Sequence, residues 1–217
     1  MIDLSEASLL AFFSEFAYEP FQVYGLVILF MIASSFGFPI PEELVLVSAG
    51  LVAYMAHDTV NFPPPYPGAT GVNTYILAFV CFGAVFLSDL LVFFIGKFFG
   101  AKFIKTEFFK KRVHGAAFDK VNLWFAKYGS LACGIFRFTP GLRLPGHMSC
   151  GFLGIPIWKF VLIDGFAALI SVPTQIILVA TYGSIVLDNM KTVKLAFLAI
   201  LLIAVTAYFI KRAKRPV

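Results

Sequence analysis

Apolar residues run along this chain in long blocks, and each block ends where prolines, glycines or charges gather. Phe21 to Pro41 carries no charge, and its length matches the roughly 20 residues that one membrane span needs. It closes on Gly37, Pro39 and Pro41, with Glu42 and Glu43 directly after. The next run, Leu44 to Ala56, is thirteen residues long. That is too short to cross a bilayer comfortably, so a re-entrant segment is expected there. His57 to Val72, containing NFPPPYPGATG, reads as a loop. Asn73 to Gly100 predicts a long helix interrupted by Asp89, with Lys97 placed to snorkel at its end. Gly129 to Ile157 is apolar yet holds Arg137 and Arg143, and Gly134, Pro140, Gly141, Pro145, Gly146, Gly151, Gly154 and Pro156 break it. No straight helix survives that density of breakers. Gly165 to Leu187 predicts a charge-free span kinked at Pro173, and Val193 to Ile210 a last span that runs into KRAKR.

Composition turns this pattern into a class. Of 217 residues, 60% are hydrophobic and 13% charged, which is too little polar surface for a soluble domain of this size. One membrane domain over 20–217 is expected, preceded by a segment at 1–19. Leu9, Leu10, Phe12, Phe13 and Phe16 would give that segment an apolar face lying along the interface. It lacks the basic start of a signal peptide, and a loosely ordered acidic tail is the plainer alternative. Cys81, Cys133 and Cys150 all lie in apolar sequence without a CxxC spacing, so they read as small buried residues rather than a disulfide framework or zinc site.

Charge orients the domain. Residues 101–128 carry seven Lys or Arg against Glu107 and Asp119, and the tail at 211–215 is basic too. Two full spans and a re-entrant stretch separate them, so both can face one side, the cytoplasm by the positive-inside rule. The 57–72 loop has no Lys or Arg and sits one span away, outside. The net charge of +5 is juxtamembrane, where it suits anionic headgroups and not nucleic acid.

The chemistry lies in charges set within apolar sequence: Glu42 and Glu43, Asp89, and Arg137 with Arg143. Each costs roughly 2.5–3.5 kcal/mol at mid-bilayer on insertion scales, so such groups face an interior and pair. The stretches FGFPIPEELVLVSAGLVA and FRFTPGLRLPGHMSCGFLG resemble each other, each a Pro-containing break with charge that runs to a small residue and Gly. Entering from opposite faces, at about 37–56 and 130–156, they would form inverted re-entrant hairpins meeting near the midplane of an all-α integral membrane fold. Arginine forks and unwound backbone suit a phosphate, and buried carboxylates suit a proton or cation. Plainer uses stand beside these: one of Glu42 and Glu43 as a helix cap, and Asp89 with one arginine as a structural ion pair. Asp164, beside Trp158 and Lys159, reads as interfacial. His57 reads as a loop residue, His114 as part of the basic segment and His147 as a core histidine, with a proton relay as its alternative use. No metal site and no enzyme motif is legible; HExxH, GxSxG, Walker A and the Rossmann fingerprint are all missing.

At FRFTPGLR the chain resembles the DedA family, membrane proteins related to SNARE-associated Golgi proteins. Arg137, Phe138, Pro140, Gly141, Arg143 and Gly151 match one block of the family pattern. PIPEE matches a second block with its acid at Glu43, and SDLLVFFIGKFFG a third at Asp89, Gly96 and Gly100. Ser34, Ser88 and Phe93 depart from that pattern, standing where members often carry Glu, Gly and Tyr, and the insert at 61–72 is outside it. Glu42 is the neighbouring acid able to substitute for the one missing at Ser34. The resemblance implies two re-entrant hairpins, a bacterial inner-membrane location and movement of phosphate-bearing lipids between leaflets, undecaprenyl phosphate or a phospholipid, with proton coupling. No cofactor is expected, and homo-oligomers are left open. On that reading Arg137 and Arg143 bind the phosphate while Glu43 and Asp89, with Glu42, titrate or pair with them. A structural or assembly protein without transport, and a lipid-phosphate phosphatase, remain as alternatives.

Overall fold

A computed structural model describes residues 13–35, 42–103, 116–139 and 142–188, all helix, turn and loop. Seven α-helices stand among them: α1 (Pro20–Ser35), α2 (Glu42–His57), α3 (Thr74–Phe103), α4 (Ala116–Tyr128), α5 (Ala132–Arg137), α6 (Arg143–Phe152) and α7 (Ile157–Asp188). A 3₁₀ turn, Gly129–Leu131, links α4 to α5. The last apolar block and basic tail (193–215), His114 and most of the 1–19 segment lie outside the described residues; its helical turn at 13–16 lies inside.

Local chemistry sets the ends of these helices. The side chain of Asn73 caps α3, its Oδ1 accepting from the amides of Tyr75 (3.0 Å) and Ile76 (3.1 Å). Gly154, at φ +72°, makes the turn between α6 and α7 in a conformation that favours glycine. Pro156 then precedes the first turn of α7, where a missing N–H costs nothing.

Only α3 and α7 are long and apolar enough to cross a membrane among the described helices, over Thr74–Phe98 and Ile157–Leu187. The block expected as a full span, Phe21 to Pro41, is described only as far as Ser35, and α1 within it is 16 residues long, as is α2. Sixteen residues reach about 24 Å at 1.5 Å per residue, against a hydrocarbon core of about 30 Å. The outer ends of α1 and α2 lie together: the Val72 amide donates to Ala17 O (2.8 Å) and Tyr18 Oη to Phe62 O (2.7 Å). Both ends therefore sit at one face of the bundle, hereafter the loop face, with the segment before α1.

At the opposite face α4, α5 and α6 pack together. The Trp124 ring of α4 stacks on Phe136 of α5, with centroids 5.7 Å apart. Lys120 and Lys127 lie over Trp124 and Tyr128, and Lys159 over Trp158, at 5.0–5.4 Å. Such amphipathic lysine–aromatic pairs suit a headgroup layer. This basic face contrasts with the loop face, where residues 13–73 contain no Lys or Arg. Two apolar clusters follow the division. One at the loop-face side joins α1, α2, α3 and α7 around Met31, Leu46, Leu77 and Ile176; the other surrounds Phe93, Phe136 and Phe160.

Backbone contact between α3 and α6 fixes the second cluster. A Cβ on Gly96 would collide with the Met148 carbonyl, and one on Gly151 with the Phe93 carbonyl. Small residues that let helices touch are the usual device where lipid supplies no hydrophobic drive. Gly96→Ala and Gly151→Ala are expected to lose about 1–3 kcal/mol or more through overpacking. Gly25→Ala and Gly83→Ala, which meet open space, should gain up to about 1 kcal/mol of helix propensity. Thermal unfolding in detergent separates the two pairs.

Candidate functional site

The end of α5 and the start of α6 carry Arg137 and Arg143, and the break between them turns both guanidiniums into the bundle. Three helices meet them with carboxylates: α2 with Glu42, α3 with Asp89 and α7 with Asp164. Arg137 Nε donates to Asp164 Oδ1 (3.2 Å) and its Nη2 to both Asp89 Oδ2 and Asp164 Oδ2, the latter at 3.4 Å. Its Nη1 lies 3.9 Å from Glu42 Oε1. Arg143 Nε donates to Asp89 Oδ1 (2.9 Å), and its Nη1 pairs with Glu42 Oε2. Its Nη2 lies 2.7 Å from Asp89 Oδ1, without the alignment of a hydrogen bond.

His147, one helical turn after Arg143, completes the cluster. Its Nδ1 is 3.0 Å from Asp89 Oδ1, and its Nε2 is 3.3 Å from both Asp164 Oδ1 and the Cys133 carbonyl. Acceptors flank both nitrogens, so only a doubly protonated ring donates on both sides. The cluster brings three carboxylates, Glu42, Asp89 and Asp164, against two guanidiniums and one imidazole. Arg137 is 4% exposed and Asp164 not at all, so the pairing is what makes the burial tolerable.

Placement of the residues singled out in the sequence is uneven. Glu42, Asp89, Arg137 and Arg143 come together. Glu43, the acid that matches the family block, is exposed and makes no ion pair among the described residues. It lines a cavity of about 200 Å³ with Glu42, Leu46, Arg137, Phe138, Ser171, Val172 and Gln175. Asp164, expected at the interface, is fully buried and pairs with Arg137 because α7 starts two turns before it. His147 is buried as a core histidine, but among charges as well as apolar groups. His57 ends α2, its Nδ1 3.1 Å from Ala53 O.

Two signals in the sequence favour a site role for His147 and Asp164 over the plainer readings. His147 follows Arg143 by four residues, the spacing of one helix face, and Pro156 marks a helix start that puts Asp164 inside it. Ser88 and Ser35 join their hydroxyls at 2.6 Å, clasping α1 to α3 beside Asp89. Ser34 instead bonds back to Met31 O (2.9 Å).

Asp89, His147 and Asp164 offer three ligand atoms within 4.8 Å of one another, close enough for one cation. The same carboxylates already accept from the guanidiniums, so a metal would have to displace them. A second, larger groove of about 550 Å³ lies at the loop face between Glu15, Tyr18, Glu19 and Tyr66, away from this cluster.

An all-helical membrane protein with a compensated charge cluster buried at its centre is the class these features define. Residues 40–181 match the VTT domain, and the chain belongs to that family, the DedA family. An uncharacterized membrane protein of Haemophilus influenzae is 32% identical over 171 residues, covering 78% of this chain and 72% of its own length. An inner membrane protein of Borreliella burgdorferi is 27% identical over 207 residues, covering 93% and 90%. No solved structure matches the chain.

The geometry ranks the charges by how much the fold depends on them. Asp164→Asn leaves Arg137 short of a buried counter-charge and should cost about 3–5 kcal/mol. Glu43→Gln should stay within about 0.5 kcal/mol, as expected for an exposed unpaired group. Unfolding midpoints of the two variants in one detergent check the order.

Proposed function

We propose that this protein carries a phosphate-bearing lipid between leaflets of a bacterial inner membrane, with protons as the coupling ion. In this reading α1–α2 and α5–α6 are re-entrant hairpins entering from opposite faces, and the basic face is cytoplasmic. The observation that carries it is that both arginines of one hairpin are held by carboxylates from three other helices. Both guanidiniums are ion-paired, and of their donors Arg143 Nη2 lacks an aligned acceptor, so a phosphate that takes the whole Arg143 fork replaces a carboxylate. Glu42 is the partner to be replaced: it comes from the other hairpin, borders the cavity and pairs with Arg143. Protonating Glu42 releases Arg143, whose fork then takes two phosphate oxygens in the same bidentate manner. Asp89 and Asp164 keep Arg137 in place meanwhile.

Exchange of one anion for another also explains how binding moves the hairpins. With Glu42 ionised, its pairing draws α2 to α6; with a phosphate in its place, that tie is absent. The two arrangements differ in which partner the guanidinium holds, which is the differential contact a two-state transporter requires. No covalent bond is made or broken, so the protein is not an enzyme in this account.

Liposomes holding the purified protein and a labelled polyprenyl phosphate test the reading. Arg143→Ala should slow leaflet exchange by roughly ten- to hundredfold, the worth of a charge-assisted contact. A pH gradient should change the wild-type rate and leave Glu42→Gln unaffected. Full exchange by Arg143→Ala would end the assignment. Silence of the wild type with this lipid and with phospholipid probes would favour an assembly role instead.

A further inference from the structure

Three polar side chains line the small cavity without a hydrogen-bond partner among the described residues. Glu43 stands in the first turn of α2, and Ser171 and Gln175 lie four residues apart on α7, all facing the same space of about 200 Å³. Ser171 and Gln175 are only partly exposed, in the middle of a helix long and apolar enough to span. An unpaired polar group fully in hydrocarbon costs about 1–3 kcal/mol, so the half-buried Ser171 and Gln175 favour water beside them. A cavity that roomy and that polar holds water.

The position of the cavity gives its direction. From Asp164, Ser171 and Gln175 lie about 10 and 16 Å further along α7 toward the loop face, at 1.5 Å per residue. Below the charge cluster, toward the basic face, Phe93, Phe136 and Phe160 are fully buried and packed together. Charge gives its preference. Glu42 is offset by Arg143, and Arg137 is committed to Asp89 and Asp164, so Glu43 is the uncompensated charge on the wall.

We infer that this cavity is a hydrated antechamber through which water, and the protons it carries, reaches Glu42 from the loop face. Glu43 makes it cation-selective, while Ser171 and Gln175 hold the water. The inference rests on the transport reading for what the proton does at Glu42. The chamber itself does not, and it is tested without any lipid substrate.

The probe is cysteine accessibility in sealed vesicles of known orientation. Ser171→Cys and Gln175→Cys are each treated with membrane-impermeant methanethiosulfonates bearing a trimethylammonium or a sulfonate. Ile170→Cys and Leu178→Cys, whose native side chains are about half exposed on the outside of α7, serve as controls. The native Cys81, Cys133 and Cys150 are buried and give the background.

Expected is modification at 171 and 175 by reagent added at the loop face, with the cation faster by roughly tenfold or more, as a cleft of one charge sign gives. Glu43→Gln in the same background should abolish that preference while labelling continues. The lipid-facing controls should stay unmodified. Labelling from the basic face alone, from neither face, or faster with the sulfonate would overturn the inference. Transport of a lipid phosphate could fail with the chamber labelled as expected, and the two results are read separately.

Discussion

Buried charge has to be compensated where it stands, and that constraint shapes the rest of this protein. Arg137 and Arg143 are brought into the interior by the break in α5–α6, and only carboxylates from other helices can reach them there. Glu42, Asp89 and Asp164 come from α2, α3 and α7, so one cluster ties four parts of the chain together. The Coulomb attraction offsets desolvation only because nearly every donor finds an oxygen. Removing one carboxylate leaves a guanidinium uncompensated, whereas adding another anion can substitute for it. The same interaction thus fixes the fold and leaves it a second arrangement.

Packing around the cluster divides the work. On the basic-face side α3 and α6 touch backbone to backbone at Gly96 and Gly151, and the Phe93 and Phe160 rings meet at 4.7 Å. That side is closed by close-packed aromatic groups. On the loop-face side α2 and α7 also approach closely, a Cβ on Gly50 standing 2.7 Å from Val179 Cβ. There the wall near the cluster carries Ser171 and Gln175 beside the buried Leu46, Val172 and Ile176. Pro173, between Ser171 and Gln175, withholds an amide from α7, while the kink expected there falls instead at Tyr182, where the backbone leaves helical φ/ψ.

Much of the site was legible in the sequence because charges in apolar blocks are costly and stand out. Asp89, Arg137 and Arg143 are found that way, and the breakers around the arginines mark the turn that aims them inward. Which of two adjacent acids pairs is not legible: Glu42 and Glu43 differ by one residue, about 100° around a helix, and only packing decides which faces in. Asp164 was hidden by its neighbours, since Trp158 and Lys159 resemble an interface until the helix start at Pro156 is recognised.

Replacement of the Glu42 carboxylate by a lipid phosphate at Arg143 is the central claim, and proton uptake reads it directly. Calorimetric titration of the solubilised protein with a short-chain polyprenyl phosphate, at a pH where the phosphate is fully ionised and in buffers of different ionisation enthalpy, counts protons bound with the lipid. The account predicts uptake of about one proton per lipid, lost in Glu42→Gln. Binding with no uptake, or with uptake unchanged in Glu42→Gln, would contradict it.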